Sequence, residues 1–168
     1  MRKTAVVILS IGYVFTLFRV EVAGIDLLLD PVGWILVFNG LWGLGKREKG
    51  RFRAGWITSL GLVALSAAQL FVKQGRAVLF LAGLNSALQL ALFGFMLWDF
   101  YKLALREQKL PKVLPWLTTF IPAGAGAVLQ FVAVLLPFAA PLPGVMAIVL
   151  GLPLVVGLLR LAALFGDR

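Results

Sequence analysis

The 168-residue sequence contains no cysteine and no histidine. Those two absences remove disulfides, thiolate nucleophiles, the usual zinc sites, haem ligation through imidazole and imidazole acid/base chemistry. Charge is also scarce, at 14% of residues, against about 25% in ordinary soluble domains. Acids are the scarcest of all, with only 7 Asp and Glu residues in the chain. A catalytic carboxylate pair therefore has few residues to come from, and neither a paired-acid motif of the lipid phosphotransferase kind nor a serine with an evident base is found. The expectation is a protein that is not an enzyme and carries no cofactor or metal.

What the sequence has in quantity is apolar surface: 61% of the residues are hydrophobic and the mean hydropathy is +1.00. A soluble domain of this length must cover its exterior with polar groups, and here there are too few. Lipid accepts such a surface, so the chain is read as one membrane domain, all-α and polytopic. The net charge of +9 and pI near 10.7 would suggest nucleic acid in a soluble protein. In a membrane protein the same excess reports cytoplasmic loops and anionic headgroups, and no nucleic acid partner is expected.

Six apolar stretches are separated by charge or Pro/Gly clusters: Thr4 to Val20, Pro31 to Gly45, Ala54 to Val72, Ala77 to Tyr101, Val113 to Leu136 and Gly144 to Phe165. The first follows Met1-Arg2-Lys3 like a signal peptide, but Glu21 spoils the best cleavage site, around Ala23, so an uncleaved span is expected. The second is the short one. Its 15 residues rise only about 22 Å as a helix, below the ~30 Å hydrocarbon core.

Charge placement tests the count independently. With the N-terminus inside, the inner segments hold Arg2, Lys3, Lys46, Arg47, Lys49, Arg51, Arg53, Lys102, Arg106, Lys109, Lys112 and Arg168, while the outer ones hold Arg19, Lys73 and Arg76. Arg160 is left inside the last span. This bias predicts a six-helix bundle of three hairpins, N-in/C-in. The densest run, Lys46-Arg47-Glu48-Lys49-Gly50-Arg51-Phe52-Arg53, reads first as a topology determinant and second as a grip on anionic headgroups at Lys46, Arg47, Lys49, Arg51 and Arg53.

Several patterns have simple explanations. Gly40 to Lys46 matches the opening of a phosphate-binding loop, but Arg47 stands where a Ser or Thr is needed and no strand precedes it, so the match is coincidental. Small residues recur every fourth position at Gly83, Ala87 and Ala91, at Ala64 and Ala68, and at Ala147 and Gly151. Such stripes are expected to pack helices within the chain, and otherwise to meet a second copy or a partner subunit.

Polar residues inside the spans carry more information, since each needs a partner in hydrocarbon. Asn85 and Gln89 share a helix face near mid-membrane with Ser86 beside them, Asn39 belongs at similar depth, and Gln69 and Gln130 lie toward the outside. They read either as the lining of an outward-facing cavity or as interhelical clasps. Asp99 and Arg160 fall near inner ends, where a structural salt bridge between them is expected. In the first outer link, Asp30 before Pro31 is a good helix start, with Asp as N-cap and Pro at the first position. Asp26 has no such role. Flanked by Ile25 and Leu27, it should sit in the interface or the outer mouth, answered by Arg19 or by a ligand.

This link also carries a resemblance. Gly24-Ile25-Asp26-Leu27-Leu28-Leu29-Asp30-Pro31-Val32-Gly33-Trp34-Ile35-Leu36-Val37 resembles the G-I-D-L-L-P-D-x-I-G-[WY]-x-L-[IV] signature of small uncharacterised bacterial multi-pass membrane proteins, with Leu29 in place of the usual Pro. It covers about the first quarter of the chain and implies a bacterial inner-membrane location without an activity. Size and layout are similar to the substrate-binding membrane subunits of energy-coupling-factor vitamin importers. The leading functional expectation is thus a solute-binding or transport module whose outer mouth holds Arg19, Asp26, Gln69 and Gln130, with Asn39, Asn85 and Gln89 deeper. The alternative is a non-catalytic accessory, assembly or lipid-organising subunit, with a membrane protein partner or a homo-oligomer as its context.

Overall fold

The computed structural model describes residues 2–17, 20–22, 25–27, 29–48, 50–71, 76–135 and 142–166. Seven helices carry the fold: α1 (Arg2–Leu17), α2 (Leu29–Arg47), α3 (Arg53–Phe71), α4 (Arg76–Arg106), α5 (Leu110–Leu117), α6 (Phe120–Leu135) and α7 (Leu142–Gly166). Among the described residues, the all-helical expectation holds except in the link before α2. There Val20–Val22 (β1) and Ile25–Leu27 (β2) pair antiparallel, Glu21 opposite Asp26. Val-Glu-Val and Ile-Asp-Leu alternate apolar with acidic residues and include β-branched side chains, the pattern a strand prefers.

Two of the expected spans differ in bounds from the helices that hold them. The second lies within a longer helix: α2 has 19 residues, running from Leu29 through Lys46 and Arg47, for a rise of about 28 Å. Pro31 is accordingly the third residue of the helix, still in the first turn where a missing N–H costs nothing. Asp30 is the second residue, not the cap, and its side chain lies outside the described residues.

The fifth expected span is two helices. Pro122 has no N–H to offer the carbonyl of Thr118, and its ring crowds that carbonyl, so α5 and α6 part at Thr118 and Thr119. The freed groups are satisfied locally: Thr118 Oγ1 donates to the Pro115 carbonyl at 2.7 Å, Thr119 Oγ1 to that of Trp116 at 2.6 Å, and the Ile121 N–H to that of Thr118 at 3.1 Å. Among the described residues, three runs are long and apolar enough to cross a membrane: Leu79–Arg106, Leu110–Leu129 through the α5–α6 break, and Ile148–Phe165.

The helices close into a ring, α1 against α2, α2 against α3, α3 against α4, α4 against α6, α6 against α7, and α7 back against α1. The seam between α1 and α2 is the tightest. A Cβ on Gly12 would stand 2.6 Å from the Val37 amide nitrogen, and one on Gly40 would stand 2.8 Å from the Ala5 carbonyl oxygen, so the two backbones approach where no side chain fits. The expected small-residue stripes contribute less. Ala64 and Ala87 face outward, because the inner faces of α3 and α4 belong to Leu62, Ser66, Ser86, Leu92, Phe93 and Met96. Gly151 does pack, against Leu17 and Tyr13 of α1. The side chain of Ala147 lies outside the described residues.

Apolar side chains fill the centre of the ring. Tyr13 of α1 meets Phe93 of α4 edge to face at 5.6 Å. Around them, Leu9, Trp34, Val37, Leu92, Met96, Leu154 and Leu158 enclose a cavity of about 10 Å³, room for one water at most. Buried hydroxyls are spent on their own helices: Ser10 donates to the Val6 carbonyl, Thr58 to Ala54 and Ser59 to Trp56, each at 2.8 Å.

Candidate functional site

The polar chemistry of the described residues gathers at one end of the ring, where α1 and α3 begin and α2, α4 and α7 finish. Each basic connection at this end contains one acid, Glu48 after α2 and Glu107 after α4. Arg2 joins them. Its Nη2 lies 2.6 Å from Glu48 Oε1, and its Nη1 donates to Glu107 Oε1. Arg106 Nη1 approaches Glu48 Oε2 at 3.8 Å. Lys109 Nζ lies 3.4 Å from Glu107 Oε2, donates to the Leu164 carbonyl at 2.5 Å and stands 5.5 Å above the Phe165 ring. The side chain of Glu48 is only 1% exposed and that of Glu107 7%, so both charges depend on these cations. Burial alone would raise the Glu107 carboxyl pKa, but the Arg2 hydrogen bond and charge, with Lys109, outweigh it and hold the value below the ordinary 4.5.

The backbone positions these groups. α4 ends with the Lys109 N–H on the Ala104 carbonyl at 3.0 Å and the Gln108 N–H on that of Leu105 at 3.2 Å, with Gln108 in the left-handed region at φ 54°. This Schellman turn reverses the chain so that Glu107 and Lys109 both face the knot. The α2–α3 connection turns through Gly50, at φ 85°, and Phe52, at φ 62°. A buried aromatic is rarely found there, and two contacts hold it: its N–H donates to Asp99 Oδ2 at 3.0 Å, and its ring meets Phe100 at 5.1 Å. Phe100 in turn lies 6.2 Å from Phe120 and 6.3 Å from Phe165, an aromatic floor beneath the ions.

Around the same end runs a rim of tryptophans covered by cations. Lys46 stands 5.0 Å over Trp42, Lys102 4.7 Å over Trp98, and Arg160 5.6 Å over Trp116. Trp42 also meets Trp56 edge to face at 4.8 Å. Asp99 and Arg160 thus do not pair: the first answers a backbone N–H and the second a ring. The Phe52 N–H reaches Asp99 from the α2–α3 connection, while α7 presents Arg160 outward.

Of the residues singled out as a cavity lining, the structure describes the side chains of Asn39, Gln69, Asn85 and Gln89. Asn39 faces outward from α2, since Gly40 and Val37 take the buried side. Gln69 and Gln89 are half-buried. Asn85 Oδ1 is buried with no hydrogen-bond partner among the described residues. None of the four lines the central cavity. Arg19 and Lys49 lie outside the described residues, as do the side chains of Asp26 and Gln130. Sequence reasoning missed Arg2, Glu48, Glu107 and Lys109 as a set. The available signal was the lone acid in each of two strongly basic connections, a residue that weakens the charge bias and therefore needs a reason of its own.

The arrangement is a clasp of ion pairs in which Glu48 and Glu107 each face two cations, while Glu48 Oε1, Glu107 Oε2 and Arg51 Nη1 are buried without a hydrogen bond among the described residues. Among the described residues no three His, Cys, Asp or Glu side chains gather as a metal site would require. No family model, curated protein or solved structure matches the chain.

Proposed function

We propose that this chain is a six-span protein of the bacterial cytoplasmic membrane, N-in/C-in with the clasp on the cytoplasmic side, serving as a non-catalytic accessory or lipid-organising subunit. The observation that carries the functional part is the apolar filling of the ring by Tyr13, Trp34, Phe93 and Met96, whose cavity of about 10 Å³ accommodates no solute. Among the described residues, the centre of the ring offers packing and not a binding chamber, so we read the outer surface as the part that meets other molecules. The cation-capped tryptophans at the charged end support the orientation, because indole rings and long basic side chains settle at headgroup level. Lys46, Arg47, Lys49, Arg51 and Arg53 then meet the anionic leaflet.

The absence of native cysteine makes topology directly measurable. Lys3→Cys, Gly50→Cys and Gln108→Cys should resist a membrane-impermeant maleimide applied to intact cells, while Lys73→Cys and Pro137→Cys should react. Labelling of both groups would reject the six-span arrangement.

A second reading, a solute-binding or transport module at the opposite end, draws support from the unpartnered Asn85 oxygen and from the register that sets Glu21 opposite Asp26. Native mass spectrometry of gently solubilised protein separates the two. A stoichiometric protein partner or retained lipid supports the accessory reading, and a retained polar small molecule supports transport.

A further inference from the structure

Arg160 is a cation in an unusual place. It lies on the outward face of α7, six residues before the helix ends at Gly166, or about 9 Å along the axis. Its guanidinium rests over Trp116, and among the described residues no carboxylate or carbonyl takes any of its N–H groups. A ring face answers part of the charge but accepts no bidentate hydrogen bonds. The position is built, not incidental. Gly157, one turn earlier on α7, has no room for a Cβ because the α5–α6 break, at Thr119 and the Trp116 carbonyl, packs directly onto it. That close approach sets Arg160 over the indole. On α5, Lys112 precedes Trp116 by four residues, so it shares that exposed flank and adds a second positive charge. Running away from Arg160 along the same face of α7 are Val156, Leu152 and Val149, all exposed.

We infer that Arg160, Trp116 and Lys112 form a binding site for the headgroup phosphate of an anionic phospholipid, with an acyl chain laid along Val156, Leu152 and Val149. This rests on the membrane embedding proposed above and is separate from the basic α2–α3 connection. A guanidinium matches two phosphate oxygens with parallel hydrogen bonds. Charge complementarity selects the lipid class: two cations and, among the described residues, no acid at the site favour a headgroup of net negative charge over one whose own ammonium needs a partner.

The test is native mass spectrometry of protein released from bilayers holding equal amounts of phosphatidylglycerol and phosphatidylcholine. Wild type should retain phosphatidylglycerol in about fivefold excess, the factor expected from one basic side chain at the membrane surface. Arg160→Gln should lose that excess, Arg160→Lys should keep part of it, and Lys3→Gln, exposed on α1, should leave it unchanged. Helical circular dichroism checks that the variants fold, and Arg160→Lys keeps the comparison alive if Arg160→Gln does not. An undiminished excess in Arg160→Gln, or equal retention of both lipids by wild type, would overturn the site. Retention of neither lipid, by a protein that stays soluble without detergent, would instead overturn the embedding.

Discussion

Arg2, in the first turn of α1, donates to Glu107 beyond the end of α4, 105 residues away in sequence. The same guanidinium pairs with Glu48 at 2.6 Å, so one side chain ties three helix ends together.

Removing that side chain should therefore cost more than a surface ion pair would. Arg2→Gln leaves Glu48 buried with little compensation, and we expect a loss of about 3 kcal/mol. Adding Glu48→Gln should restore a large part of it, because the stranded charge is gone. Chemical unfolding of the two single variants and the double variant in detergent checks the coupling, and additive losses would dismiss the clasp as a stability element.

The depressed Glu107 carboxyl gives the clasp a pH dependence. Its folded value lies below the ordinary 4.5, so its contribution is fully present above 4.5 and is lost as pH falls through the folded value. Thermal midpoints should accordingly drop on acidification below about 4.5. Glu107→Gln should flatten that acid limb. A midpoint equally steep in the variant would assign the limb to other carboxyls.

Two glycines should respond to alanine with opposite signs. Gly12→Ala places a methyl group 2.6 Å from the Val37 backbone nitrogen, and neither backbone can yield cheaply, so a loss of about 1–3 kcal/mol is expected. Gly94, outward on α4, has nothing within 4 Å of the added Cβ, and Gly94→Ala should gain about 0.5–1 kcal/mol from reduced unfolded-state entropy. Paired unfolding curves test both, and a destabilised Gly94→Ala would indicate a neighbour on that face.

Gln108 holds a left-handed conformation that costs an L side chain about 1–2 kcal/mol. Gln108→Gly should relieve much of it while leaving the Schellman hydrogen bonds in place, which raises the unfolding midpoint. A lowered midpoint would mean that the glutamine side chain contributes a contact worth more than the strain.

The helical segments were legible because their apolar runs are long and their punctuation is basic or Pro/Gly-rich, signals that depend only on local sequence. The α5–α6 break was less so. Pro122 sits three positions into the new helix, and a mid-run proline can kink a span or end it; the choice is made by Thr118 and Thr119, whose hydroxyls satisfy the freed carbonyls. The clasp was harder still, since Arg2 to Glu107 is a contact between segments that nothing local relates. Asn39 was misplaced for a similar reason. Depth along a helix follows from counting residues, but facing depends on which neighbour packs there, and Gly40 had already given the inner face of α2 to α1.

The ring closes with α7 against α1, Gly151 receiving Leu17 and Tyr13. During synthesis at about 5–20 residues per second, α1 emerges ahead of α7 and waits on the order of ten seconds for that neighbour. Until then Tyr13 and Leu17 are an open apolar flank, available to another segment of the chain or to a second copy. The seam is therefore the step at which the ring closes, and α7 is the helix that completes the packing of α1.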